Sequence, residues 1–112
     1  MANEIQREDR GNITILLVPA RLDTLLGGLL SERCKELVKE GRFRVVVDCK
    51  DLKFISSTSI VTLLTFHQQA VAKGGDLKFA NVSERIEDIF RLAKLERIFS
   101  WYLSVDEAIS TF

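Results

Sequence analysis

Arg44-Val45-Val46-Val47-Asp48 leads into the loop Cys49-Lys50-Asp51-Leu52-Lys53, and Phe54-Ile55-Ser56-Ser57-Thr58-Ser59-Ile60 then opens a helical pattern. The short β-branched run reads as a central strand, covered on both faces or on one face and part of the other. From Ile60 to about Lys73 the pattern is helical, Gly74-Gly75 closes it, and Asp76-Leu77-Lys78-Phe79-Ala80 alternates as the next strand. Strand, helix and strand in that order are the building unit of an α/β fold.

Upstream, the turn signal Arg10-Gly11-Asn12 precedes the apolar strand Ile13-Thr14-Ile15-Leu16-Leu17-Val18, which ends at Pro19. A strand before that turn, pairing with it as a hairpin, is only weakly encoded. Asp23 or Thr24 can cap a helix reaching about Glu40. In it Leu25, Leu26, Leu29, Leu30, Cys34, Leu37 and Val38 recur at three- and four-residue spacing, and Gly41 stops it. Downstream, Ser83 caps a short amphipathic helix with Ile86, Ile89, Phe90 and Leu92 apolar, and Ser104 caps a last one through about Ser110. Phe99, Trp101 and Tyr102 read as residues that close a core. The expected architecture is α/β, with a mixed sheet of about four to five strands and right-handed crossovers.

Composition narrows the functional classes. The chain has 112 residues, 46% hydrophobic and 29% charged, which suits a single domain over residues 1–112. Sixteen basic and 16 acidic side chains cancel, so no electrostatic footprint for nucleic acid or an anionic membrane is present. The apolar runs are far shorter than the roughly 18 residues of a membrane span, and the polar start has no secretory h-region. A cytoplasmic protein without membrane insertion is expected. Cys34 and Cys49 read as free thiols, and with one histidine the spacing offers no metal site and no cofactor.

The hydroxyl run is the informative feature. A helix start exposes unpaired N–H groups and the positive end of the dipole, and one Ser or Thr oxygen suffices to cap it. Four consecutive hydroxyls exceed that need; with Ser56 or Ser57 as cap, others are free. A phosphate added there would be tolerated by the helix end and would change surface charge without unfolding the fold. On the helix that follows, Ile60, Leu64, His67 and Val71 fall on one face, flanked by Val61 and Leu63. Phe66 lies round the far side, where it is either an exposed aromatic beside a helix start, a feature of interaction surfaces, or a ring packed under a neighbouring loop or helix. His67 on the inner stripe reads as a half-buried structural residue. No phosphate loop, carboxylate pair or nucleophile–base set stands out, so an enzyme is not expected.

The order Val45-Val46-Val47-Asp48, Phe54 to Ile60, the helix, Gly74 to Ser83, then Leu92 and Leu95 to Phe99 resembles the STAS domain, shared by sulphate transporters and bacterial anti-sigma-factor antagonists. The likeness runs from about Ile13 to Ile109. Pro19-Ala20-Arg21-Leu22-Asp23 is similar to the family's turn before its first helix, where glycine commonly stands at Ala20. The resemblance implies a STAS-like fold and a bacterial transcription-regulating switch. An unphosphorylated antagonist binds an anti-sigma factor with serine kinase activity and so frees the sigma factor. The kinase phosphorylates a hydroxyl at the start of the second helix, and a serine phosphatase resets the switch.

The family motif there is Asp, Ser, Ser or Thr, Gly, aliphatic. Ser57 and Thr58 fall on its two hydroxyl positions, while Ser56 replaces the acid and Ser59 the glycine. On the antagonist reading, the partner-binding face is built from the 53–60 loop with Ser56, Ser57, Thr58 and Ser59, from the outer face of the second helix around Phe66, and from Asp23; the side chain of Ser59 stands where a partner's backbone would approach. The alternative is a constitutive STAS scaffold or accessory subunit of a signalling or transport complex, with no phosphorylation cycle.

Overall fold

The computed structural model describes residues 4–112. The chain opens with a hairpin of β1 (Gln6–Arg10) and β2 (Ile13–Leu17), antiparallel with Arg10 opposite Ile13. The weakly encoded first strand is therefore present. Arg42 fastens it, donating to Thr14 Oγ1 at 2.7 Å and to the Gly11 carbonyl at 2.8 Å.

Next come β3 (Arg21–Leu22), α1 (Thr24–Glu40), β4 (Arg44–Asp48), β5 (Phe54–Ile55) and α2 (Ser57–Ala72). The chain finishes with β6 (Asp76–Ala80), α3 (Glu84–Leu92), β7 (Ser100–Tyr102) and α4 (Val105–Ser110). A mixed five-stranded sheet has the order β1-β2-β4-β6-β7, and β3 with β5 forms a separate two-stranded pair. All pairs except the hairpin are parallel. Gly75 is needed where α2 gives way to β6. The Asp76 N–H bonds the Phe43 carbonyl at 2.8 Å, and a Cβ on Gly75 would collide with that carbonyl.

Alternation along the strands splits the core in two. Leu16, Val45, Val47, Leu77 and Phe79 meet Leu30 and Leu37 of α1, Leu63 and Phe66 of α2, and Ile86 and Phe90 of α3. On the opposite face Ile15, Val46 and Ala80 are covered by Ala108 of α4.

Three helix faces differ from the sequence reading. On α1 the buried stripe is Gly27, Leu30, Cys34 and Leu37, and Leu25 is 83% exposed. At 100° per residue, Leu25 sits about 140° round from Leu30. On α2 the buried stripe is Ser59, Leu63, Phe66 and Ala70, one residue earlier than expected, and Val71 is exposed. On α3 Leu92, two residues beyond buried Phe90, turns to solvent. Phe99 and Trp101 do close a core, clustered with Phe79 and Phe90.

Candidate functional site

β3 and β5 lie side by side, Arg21 opposite Phe54 and Leu22 opposite Ile55, and each runs directly into a helix. The starts of α1 and α2 are therefore neighbours. Of the two candidate caps on α1 it is Asp23 that serves, its Oδ1 accepting the Leu26 N–H at 3.1 Å. On α2 the cap is Ser56, whose Oγ accepts the Ser59 N–H at 3.2 Å.

The four hydroxyls divide two and two. Ser56 Oγ donates to Ser59 Oγ at 3.0 Å, and Ser59 Oγ donates to the Leu22 carbonyl at 3.2 Å. That carbonyl also takes the Ser56 N–H at 2.8 Å, so the cap of α2 is tied to the end of β3. Ser57 and Thr58, in the first turn of α2, are exposed. Among the described residues neither of their hydroxyls has a hydrogen-bond partner; Thr58 contributes its backbone carbonyl to Thr62 Oγ1.

The electrostatics of the two starts differ. Neither helix carries an acid in its first turn. The α1 dipole is met by the Asp23 carboxylate, whereas the neutral Ser56 leaves the positive end of α2 uncompensated. Around it stand the Arg21 guanidinium, 4.6 Å above the Phe54 ring, and the exposed Lys53. Phe54 and Val61, each within four residues of Ser57 and Thr58, add exposed apolar surface, and Leu25 in the first turn of α1 is exposed as well.

The family model for the STAS domain matches residues 4–108. This chain belongs to the STAS domain family. Among solved structures, the STAS chain is similar to TM1081 of Thermotoga maritima, at 20% identity and a TM-score of 0.86 over 96% of this chain and 92% of that one. It is similar also to an anti-sigma factor antagonist from Mycobacterium paratuberculosis, at 17% identity and a TM-score of 0.84 over 96% and 91%. The anti-sigma factor antagonist SpoIIAA in its unphosphorylated form, the Bacillus protein, aligns at 16% identity and a TM-score of 0.85 over 96% and 94%. At these identities the likeness is one of fold. No curated protein matches the sequence.

Two residues expected on the surface of this STAS fold are not there. Phe66 is 1% exposed, in the main core with its ring 6.4 Å from that of Phe43. The reason is the helical phase: Phe66 follows Leu63 by three and precedes Ala70 by four, on the stripe facing the sheet. Ser59 is fully buried, its hydroxyl lying against the backbone of Gly27. Its side chain fills a helix–helix contact and leaves the outer surface as it was. The exposed group of the expected set is thus Ser57 and Thr58, with Asp23 and Ser56 half-buried beside them.

Sequence reasoning placed Phe54 in the loop of the binding face but missed Leu25 and Val61, which it set on or beside the inward stripes. The Gly27-Gly28 pair was a partial signal: it marks a close approach within the helix without telling which glycine makes it, and it is Gly27 that meets Ser59 while Gly28 faces open space. His67 is half-buried as expected, with Nε2 3.3 Å from Asp76 Oδ1 and its ring edge-on to Phe99. No helix among the described residues is long and apolar enough to cross a membrane.

Proposed function

We propose that this chain is an anti-sigma-factor antagonist, a non-catalytic cytoplasmic switch that docks an anti-sigma factor with serine kinase activity. It docks while unphosphorylated, through the paired helix starts, and is released when Ser57 or Thr58 is phosphorylated. A serine phosphatase restores it. The observation that carries the reading is the division of the hydroxyls: Ser56 and Ser59 are engaged internally, and Ser57 and Thr58 are exposed. Asp23 and Ser56 flank them at the docking face, while Ser59 and Phe66 act from beneath by fixing the platform.

Ser56 in the family's acidic position bears on the switch physically. A carboxylate at that cap would repel a neighbouring phosphate; a neutral cap leaves the dianion facing an uncompensated helix dipole. The same substitution favours a second reading, a scaffold or accessory subunit that holds its partner constitutively, if the kinase orients on the missing acid.

Phosphosite mapping by mass spectrometry on protein from the host, in growing and stressed cells, tests the proposal. Phosphate on Ser57 or Thr58 that varies with growth state supports the switch. A chain unmodified in every state, together with unchanged partner binding by Ser57→Asp and Thr58→Asp, leaves the scaffold.

A further inference from the structure

Lys78 sits mid-strand on β6, yet it is only 5% exposed. Its Nζ donates to Thr111 Oγ1 at 2.6 Å and lies 3.9 Å from the centroid of the Phe112 ring and 5.5 Å from that of Tyr102. Among the described residues no carboxylate pairs with this ammonium. A buried unpaired cation is costly, and here the compensation is one hydroxyl and two aromatic faces. Thr111 and Phe112 directly follow α4, and Tyr102 precedes it on β7.

Beyond this grip the helix is held by buried Ala108 and by the half-buried Val105 and Ile109. α4 has six residues, well short of what is stable as an isolated helix. It covers the smaller apolar cluster of Ile15, Val46 and Ala80, with Ala108 its one fully buried side chain. Its remaining ionic tie to the sheet, Arg10 to Asp106 at 3.3 Å, is exposed and screened by salt.

We infer that α4 is a strap that opens as a unit of its own, and that the Lys78 ammonium is its latch, gripping Thr111 and Phe112. Opening frees residues 105–112 from the sheet and bares Ile15, Val46 and Ala80, while the core under α1, α2 and α3 stays closed. The strap lies on the face opposite α1 and α2, so it gates a surface separate from the hydroxyl-bearing helix starts.

Amide hydrogen exchange followed by mass spectrometry on the full chain tests this. In the parent protein, residues 105–112 are expected to exchange ahead of α1, α2 and α3. Lys78→Met keeps the length of the side chain and removes its charge. It should speed exchange in residues 105–112 about tenfold, leaving the three large helices within about twofold of the parent. Phe112→Leu removes the ring face, should act in the same direction, and carries the test if Lys78→Met does not fold. Unchanged or slower exchange in residues 105–112 overturns the latch, because the ammonium is then only a burden on the packing. Equal acceleration throughout the chain also overturns it, because α4 then has no opening of its own.

Discussion

Gly27 of α1 lies against Ser59 of α2 so closely that a Cβ on the glycine would stand 2.7 Å from the serine Oγ. Ser59 cannot simply turn away, because its hydroxyl bonds the Leu22 carbonyl and receives the Ser56 hydroxyl. Gly27→Ala is therefore expected to destabilise the fold. Overpacking costs about 1–3 kcal/mol, against roughly 1 kcal/mol gained in helix propensity. In a Ser59→Gly background the same change should become neutral or stabilising. Urea midpoints of the two singles and the double measure the coupling, and additive effects would disprove the contact.

The hydroxyls should separate by stability as they do by geometry. Ser56→Ala removes the cap of α2 and should cost about 1 kcal/mol. Ser57→Ala and Thr58→Ala, exposed and unbonded, should stay within about 0.5 kcal/mol of the parent. Chemical denaturation of the three variants checks this; a loss at Ser57 as large as that at Ser56 would show that the cap is shared.

Arg7 bridges the hairpin to the end of α1, reaching Glu40 at 2.6 Å and Asp9 at 3.0 Å. Its guanidinium holds both carboxyls below their usual range. A depressed carboxyl stabilises the fold above its unfolded pKa, about 3.9 for Asp and 4.3 for Glu, and the contribution fades as pH falls through the lower folded value. Because both carboxylates are largely exposed, the effect is small and diminishes with salt. Carboxyl carbon titration by NMR should find both groups shifted down in the parent and returned upward in Arg7→Gln. Unmoved titrations in the variant would rule out the bridge in solution.

Cys34 and Cys49 should be inert in the native protein. Burial pushes the Cys34 thiol up to about 12, and burial with the nearby Asp48 pushes Cys49 higher still. The thiolate is the reactive form, so neither should react with a disulfide reagent near neutral pH until the chain unfolds. Release of the reagent's chromophore with and without denaturant gives the count, and fast reaction of the native protein would contradict the burial.

The strand and helix succession was legible because β-branched runs, caps and the Gly74-Gly75 stop all agree along the chain. Helix orientation was less so. On α2 the sets Ser59, Leu63, Phe66, Ala70 and Ile60, Leu64, His67, Val71 have identical spacing, one residue apart. The second is the more apolar at its ends, yet the first faces the sheet. A helix flanked by neighbours on both sides is apolar over a wide arc, and periodicity alone cannot centre such an arc. At the hydroxyl run, sequence could show an excess of hydroxyls but not which were engaged. That depended on Leu22 and Gly27, more than 30 positions away, which the pairing of β3 with β5 brings alongside.

The single tryptophan, Trp101, packs 5.0 Å from the Phe79 ring and 5.2 Å from Phe90, with its indole N–H on the Glu96 carbonyl at 2.7 Å. Its emission is thus a gauge of the corner between α3 and β7. Unfolding of that corner will be bright in a fluorescence trace, while an event confined to Ser57 will leave the trace flat, so binding at the helix starts calls for an added dye or for NMR.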